Sequence, residues 1–427
     1  MNKPFYCCVM FPYPSGAGLH LGHCYNYAIV DSYCRWLRYL GQEVFQPFGY
    51  DAFGLPAENY ARSIGGDPKA VTWANIERFR AQMTRMNTQY EEKLVTCEPS
   101  YYKWTQWLFT MLKNKGLAYK AFGPVNYCPT CDTVLANEQV SGGYCNRCNA
   151  KPEVRELNQW YFKITAYKDR LIKNLARIDY PEGTLKQQRV WLEGLRDWCV
   201  SRQRKWGCPI PIEGDPDTLD TFVDSSFYFL RYLEDDPEVF LHPQNYQPVD
   251  LYVGGPEHAC MHLIYARFIN MFLYDLGIAQ QEEPFNHVVH QGMITAGGAK
   301  MGKSKGNAVN PDDYDPDELR LYLMFLGPYQ DGGDWDDKAI TGTRRFLGRL
   351  RRWLSQPGTD EIDLTHLQSV IHHHLTTWKV NKVVSTLMEF YNKNRDKKPT
   401  PQTVERLLPM LHCFAPGLAL QPADPPV

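Results

Sequence analysis

The sequence predicts an α/β fold built on a doubly wound parallel sheet, and three observations carry that prediction. Residues 5–11 (FYCCVMF) form an apolar run that reads as a short buried strand. A long helical pattern over residues 19–40 follows, and a second apolar strand, residues 44–47, completes a strand–helix–strand unit. Helical and strand-like segments then alternate as far as residue 330, and from Thr343 the pattern is helical only.

Each element has its own signal. The turn at residues 12–18 (PYPSGAG) separates the first strand from the first helix. In that helix Leu21, Cys24, Ala28, Tyr33, Trp36 and Leu40 keep to one face, and Gly41 stands where a C-terminal cap belongs. The second strand runs out at Phe48-Gly49-Tyr50-Asp51. Residues 72–118 read as helical, and residues 125–152 as a turn-rich, cysteine-bearing insert. A charged, proline-bearing loop at 394–401 separates two late helices, and the proline-rich residues 421–427 are expected to fray. The expected organisation is a first half-domain at 1–120, a zinc-binding insert at 121–155, a second half-domain at 156–342 and a short helical bundle at 343–427. No internal repeat is present.

Composition narrows the class. A chain of 427 residues can hold two or three domains around a sizeable core. Its 44% hydrophobic and 22% charged content is ordinary for a soluble protein, while 27 tyrosines and 11 tryptophans suit extended pockets and stacking surfaces. No window approaches the roughly eighteen apolar residues of a membrane span, and residues 1–4 lead directly into the first strand without a signal peptide. The expected location is therefore cytoplasmic, with no membrane partner. A net charge of −2 argues against coating nucleic acid by bulk electrostatics, though it permits a local basic patch. The odd count of 13 cysteines, with no export signal, points to reduced thiols.

Two short motifs carry phosphate chemistry. His20-Leu21-Gly22-His23 opens the long helix just after a glycine turn. Histidines three apart share a face, the helix N-terminus favours anions, and Gly22 leaves room for a flat group against the backbone. Imidazoles there suit oxygens that gain charge in a transition state. Alone, the motif reads equally as two histidines on a partly buried helix. Residues 300–307 (KMGKSKGN) follow the glycine-rich 296–299 (AGGA), and Lys300 and Lys303 on such a loop can neutralise a triphosphate. Alone, that loop reads as a solvated basic segment, and it lacks P-loop spacing.

Together, in this order, the motifs resemble the HIGH and KMSKS signatures of class I aminoacyl-tRNA synthetases. The intervening blocks resemble the leucyl branch: residues 10–16 (MFPYPSG), 49–59 (GYDAFGLPAEN), 135–140 (LANEQV), 162–167 (FKITAY), 201–207 (SRQRKWG), 221–226 (TFVDSS), 254–259 (GGPEHA) and 290–293 (HQGM). The resemblance covers residues 5–350. It implies a split Rossmann-like sheet, ATP with Mg2+, leucine, and tRNA as acceptor.

It also implies roles. Asp51 would hold the amino-acid ammonium group. Met10, Phe11, Tyr13, Phe222, Ser225, Tyr228, His258 and His262 would shape the side-chain pocket, with the last two on one helical face. His20, His23, Lys300 and Lys303 would handle phosphates. Gly22, Gly254, Gly255, Glu257, Gln291, Met293 and Ser304 would surround the nucleotide, the small residues permitting close backbone approach. Taken singly, each aromatic here also reads as plain core packing.

Cys128, Cys131, Cys145 and Cys148 form two C-x2-C pairs whose spacing suits a closed, structural zinc site. The segment has little apolar content, so metal would supply folding energy. A knuckle that has lost its metal, or a disulfide, is the other reading.

The sequence departs from the leucyl pattern in four places. Residues 188–194 run directly into 195–198, where the family carries a large editing insertion. A second insertion is reduced to a stub between Ile212 and Leu219. Gly302 replaces the usual serine of the lysine signature. The helical end is short, with Arg344, Arg345, Arg349, Arg351 and Arg352 clustered at its start, either facing phosphates or simply solvated. These departures leave three expectations: a leucine–tRNA ligase without editing, a repurposed enzyme passing leucine to a carrier-protein thiol or a small amine, or a non-catalytic amino-acid- or RNA-binding regulator. A monomer is expected.

Overall fold

The computed structural model describes residues 3–14, 18–135, 140–145, 148–301, 309–356 and 358–420, apart from the side chains of Leu55, Pro56, Ser141 and Lys300. The chain opens with β1 (Phe5–Val9), α1 (Leu21–Tyr39), β2 (Val44–Phe45), β3 (Pro47–Tyr50), α2 (Leu55–Ser63), α3 (Pro68–Arg85), β4 (Glu91–Val95) and α4 (Pro99–Asn114). The expected single strand at 44–47 is thus two strands broken at Gln46. The expected helix over 72–118 is two helices with a strand between them. Asn87 in the left-handed region ends α3, and the backbone ladder to β3 overrides the helix preference of Glu91, Glu92 and Lys93. Pro99 then holds Glu98 extended and starts α4 as its first residue.

A long antiparallel ribbon follows: β5 (Ala118–Cys128), β6 (Thr133–Leu135), β7 (Val140–Ser141), β8 (Tyr144–Cys145) and β9 (Glu153–Phe162). The chain returns through α5 (Lys168–Asn174), α6 (Glu182–Glu193), β10 (Trp198–Cys199), β11 (Ser201–Arg202), β12 (Thr218–Leu219), α7 (Thr221–Ser225), α8 (Tyr228–Arg231), β13 (Val249–Gly254), α9 (His262–Asp275), β14 (Phe285–His290), β15 (Met293–Ala296) and β16 (Ala299–Lys300). It ends in α10 (Pro316–Phe325), β17 (Gly332–Trp335), α11 (Ile340–Leu354), α12 (Thr365–Thr376), α13 (Val380–Asn394) and α14 (Pro401–His412).

The central sheet has the order β14–β13–β1–β2, and every pairing in it is parallel. β3 and β4 form a further parallel pair beside it. β1 pairs with β13, a strand more than two hundred residues later, so the halves of the fold interlock at the sheet centre. The burial of Tyr6, Cys7, Cys8 and Val9 explains the apolar run that announced the strand: both faces are covered by helices. One continuous core extends from this sheet into the α11–α14 bundle, and a small separate cluster surrounds Cys128, Cys131, Leu135 and Cys145.

Candidate active site

The parallel strands end where the chemistry is expected. After β1, Met10 N donates to Val253 O (2.8 Å), and the loop runs past Pro12, whose carbonyl accepts from Asp51 N (3.0 Å). Gly18, in the left-handed region, has no room for a side chain because Gln82 Oε1 stands 2.6 Å from where a Cβ would be. Leu19 N donates to that same oxygen (2.7 Å).

His20 is the N-cap of α1, so the helix begins two residues later than the sequence pattern suggests. The two histidines cap reciprocally: His23 N donates to His20 Nδ1 (3.2 Å), and His20 N donates to His23 Nδ1 (3.3 Å). Their rings stack at 3.7 Å. With each Nδ1 accepting, the ring proton of each sits on Nε2, which makes Nε2–H the donor. Burial, and then His20, hold His23 well below the usual histidine range, consistent with a neutral ring. A Cβ at Gly22 would lie 3.0 Å from His20 Cε1, so this glycine leaves the imidazole its place.

Lys300 lies at the end of β16; Gly302, Lys303 and Ser304 lie outside the described residues, as do 421–427. The chain beyond that loop is anchored by α3. Arg85 donates to Pro311 O (3.2 Å) and Tyr314 O (2.6 Å), and Gln82 Nε2 donates to Asp312 Oδ2 (2.9 Å). Gln82 therefore joins the loop before His20 to the segment after the lysine loop. Sequence reasoning missed it, because a glutamine in a helix carries no motif.

On the other side, β13 ends in Gly254 and Gly255. A Cβ at Gly254 would meet Met10 Sδ at 2.0 Å, and one at Gly255 would meet Glu257 Oε2 at 2.2 Å. Neither position accepts any other residue without displacing a candidate site group. His290 bridges Gly254 O (2.9 Å) and Thr184 Oγ1 (2.8 Å), and burial keeps it neutral. Gln291 presents a buried Oε1 with no hydrogen-bond partner among the described residues, while Met293 is 54% exposed.

The candidate amino-acid pocket is an aromatic wall. Phe11 stacks on Tyr228 at 3.8 Å with planes 2° apart. The Tyr228 hydroxyl meets Tyr252 Oη (2.7 Å), which meets His262 Nε2 (2.5 Å). His262 stands edge-on to His258 (6.1 Å), which faces Phe222 (6.5 Å). The two histidines do not share one helix face as expected: Pro256–His258 is a 3-10 turn, α9 starts at His262, and Met261 breaks the path between them. The turn still brings the rings together. Burial, and secondarily His258, push His262 down to about 3, so it is a neutral polar wall. Ser225 is buried, and its hydroxyl donates to Phe222 O within its own helix (3.4 Å). Tyr13 is half-buried on the loop after β1.

Asp51 is 2% exposed and accepts from Thr221 Oγ1 (2.7 Å). Asp224 lies fully buried nearby, accepting from Thr105 Oγ1 (2.7 Å) while its Oδ2 has no partner among the described residues. Burial, and then the Asp51 carboxylate, push Asp224 well above the carboxylate range, which favours its neutral acid form. Tyr27 connects the two halves of the site: its ring stacks near His23 (5.8 Å), and its hydroxyl donates to Met10 O (3.3 Å). Thr221, Asp224 and Tyr252 were assigned no role by sequence reasoning; only the short 221–226 block touched the first two.

The four cysteines converge. Their sulfurs all lie within 4.8 Å of one another, with Cys128–Cys148 at 3.4 Å and Cys131–Cys145 at 4.0 Å. Tetrahedral Zn–S bonds of about 2.3 Å require sulfurs about 3.8 Å apart, and these separations bracket that value. The residues fit a divalent ion with no open position. Of the arginine cluster, Arg344 is held by Glu318 (2.9 Å) and Arg349 lies over the Tyr391 ring (5.9 Å). Among the described residues no helix is long and apolar enough to cross a membrane.

Residues 1–214 match the family model of tRNA synthetases class I (I, L, M and V), and residues 139–344 match that of tRNA synthetases class I (M). The leucine–tRNA ligase of Clostridium botulinum is 31% identical over 92% of this chain and 81% of its own length. That of Caldanaerobacter subterraneus is 30% identical with the same coverage. The first alignment is 658 positions long against a chain of 427 residues, so long segments of the relative have no counterpart here. Among solved structures, the agnB2 LeuRS of Agrobacterium radiobacter K84, in a ternary complex with tRNA and LeuAMS, superposes with a TM-score of 0.90 at 25% identity over 98% of this chain and 84% of that one. Methionyl-tRNA synthetase of Mycobacterium tuberculosis bound by methionyl-adenylate shares the fold, with a TM-score of 0.76 at 20% identity over 97% of this chain and 92% of that one.

Proposed function

The chain belongs to the leucine–tRNA ligase family of class I tRNA synthetases, and from that premise we propose that it condenses leucine with ATP and passes the leucyl group to tRNA without an editing step. The observation that carries this reading is the Phe11–Tyr228–Tyr252–His262 wall standing beside buried Asp51, joined through Met10 and Tyr27 to the stacked His20–His23 pair. Asp51 receives the leucine ammonium group, and the wall receives the branched side chain. A leucine carboxylate oxygen attacks the α-phosphorus; the bond to the β-phosphate oxygen breaks, and pyrophosphate leaves. The Nε2–H groups of His20 and His23 donate to phosphate oxygens as their charge grows, and Lys300 and Lys303 neutralise the departing pyrophosphate. Magnesium accompanies ATP and adds charge neutralisation. A terminal ribose hydroxyl of tRNA then attacks the leucyl carbonyl and AMP leaves. No protein nucleophile is needed.

Gly254 and Gly255, with Glu257, Gln291, Met293 and Ser304, surround the nucleotide in this reading. Cys128, Cys131, Cys145 and Cys148 hold structural zinc. The absence of editing is supported by the passage from α6 to β10, which takes only residues 194–197, and by the unmatched segments inside the aligned relatives. A hydrophobic pocket alone discriminates a near-isostere by about 10- to 200-fold, so isoleucine and norvaline are misactivated and not removed.

Leucine-dependent pyrophosphate exchange tests the first step, and acid-precipitable leucyl-tRNA the second. Exchange without tRNA charging assigns another acceptor, such as a carrier-protein thiol or a small amine. Leucine or RNA binding with no exchange assigns a regulator instead.

A further inference from the structure

The segment that carries Asp51 is gripped from behind by residues 204–206. Arg204 Nη1 donates to Glu58 Oε2 (2.8 Å), and the backbone N–H groups of Lys205 (3.2 Å) and Trp206 (3.1 Å) donate to Glu58 Oε1. Trp206 Nε1 donates to Ala52 O (2.8 Å), one residue from Asp51. Ala52 directly follows Asp51 and Glu58 lies in the first turns of α2, so residues 204–206 hold the chain on the C-terminal side of the candidate ammonium site. The Arg204 and Glu58 side chains are only 5% and 8% exposed.

Arg204 is nonetheless incompletely satisfied. Its Nη2 is buried and has no hydrogen-bond partner among the described residues. A buried guanidinium donor without an acceptor is destabilising, the more so when charged. The four-cysteine module lies on the other side. β6, which leaves Cys131, packs on β11, which leads into Arg204. Burial and Arg202 disfavour the charge on this guanidinium, while Glu58 and a thiolate at Cys131 favour it. Four thiolates around a divalent ion carry a formal charge of −2, and such sulfurs recruit N–H donors from an outer shell. One is already present: Cys131 N donates to Cys128 Sγ (3.4 Å).

We propose that Arg204 is a strut between the four-cysteine module and the Asp51 loop, with one arm on Glu58 and the buried Nη2–H donated to the Cys131 thiolate when the module holds zinc. Metal occupancy thereby sets the geometry of amino-acid binding. Arg204 is a positioning residue and touches no substrate. The leucine half of this inference rests on Asp51 as the ammonium-binding carboxylate; the zinc half does not.

The test uses the full chain in zinc-loaded and chelator-stripped forms, with Arg204→Lys as the principal variant and Arg204→Met as the second. Lysine keeps the Glu58 pair with a single ammonium that cannot serve both partners. Zinc transfer to a chromogenic chelator is expected to accelerate about 10- to 100-fold in either variant, the scale seen for lost outer-shell partners. Calorimetry with leucine alone is expected to show weaker binding by wild type after stripping, and the same affinity with and without zinc in Arg204→Lys. Wild-type zinc release from Arg204→Lys overturns the proposal. So do losses from stripping and from substitution that multiply as independent effects. If wild type binds no leucine in either form, the functional reading fails, and zinc release alone still decides the Arg204–Cys131 contact.

Discussion

Removing Arg320 is expected to cost about 3 kcal/mol, and removing its partner's charge as well is expected to return none of that loss. Arg320 on α10 is fully buried against Asp31 on α1 (Nη2 to Oδ2 2.7 Å), and it also donates to Ser32 Oγ (2.9 Å) and Met86 O (3.3 Å). The pair ties the helix that starts at His20 to the first helix after the lysine loop. Breaking a buried ion pair from one side costs about 3–5 kcal/mol because the surviving charge is stranded. Asp31 keeps Arg35 (2.8 Å) and Gln89 N (2.8 Å), which places Arg320→Met at the lower end. With a urea slope of about 3 kcal/mol/M, the unfolding midpoint followed by circular dichroism falls by about 1 M. Asp31→Asn combined with Arg320→Met leaves the Arg35 guanidinium without its carboxylate, so the double variant should be no more stable than Arg320→Met alone. Burial pushes the Asp31 carboxyl up, but Arg320 and Arg35 outweigh it and leave it below its ordinary value of 3.8. The stabilisation is therefore complete above that pH and is lost as pH falls through the depressed folded value. The gap between wild type and variant should be constant from pH 5 to 7 and close in stronger acid. A single-variant loss under about 1 kcal/mol, or a double variant more stable than Arg320→Met, would refute the reasoning.

Gly254→Ala should raise the KM for leucine at least about tenfold, because its Cβ would stand 2.0 Å from Met10 Sδ and push that side chain out of the wall; unchanged steady-state kinetics would contradict the placement of Met10. His262 is held neutral, down to about 3, so its unfolded form binds more protons between that value and 6.5, and wild type loses stability as pH falls through this window. His262→Phe should flatten that loss in urea titrations at pH 5 and 7. Cys131→Ser should lower bound zinc, measured by atomic absorption, from one ion per chain to well below one; full occupancy would mean that the four sulfurs do not form the site.

How much could be read from the residues alone varied with the physics. β1 was legible because burial on both faces makes it wholly apolar, and α1 because its apolar positions recur with helical period, although the helix is buried on more than one face and Leu40 is exposed. The four-cysteine cluster was legible because metal coordination fixes ligand type and spacing, and the sulfurs do converge. The strand Glu91–Val95 was not, since its first three residues are charged or only partly buried, and only the β3 ladder selects an extended conformation. Gln82, Thr221, Asp224, Tyr252 and Arg204 were also missed. Each acts through partners far away in sequence: Gln82 reaches Asp312, Thr221 reaches Asp51, Arg204 reaches Glu58. Sequence spacing holds no trace of such contacts. The His258–His262 pair shows the opposite error. An i, i+4 spacing suggested one helix face, whereas the proline turn and Met261 bring the rings together by another path.

The central claim is that the wall from Phe11 to His262 and the carboxylate of Asp51 select leucine for adenylation. Exchange of labelled pyrophosphate into ATP, measured with each amino acid in turn, addresses it most directly. The account expects exchange with leucine, weaker exchange with isoleucine and norvaline, none with charged amino acids, and loss of the leucine signal in Asp51→Asn. Equal exchange without amino acid, or none with any branched aliphatic amino acid, would contradict it.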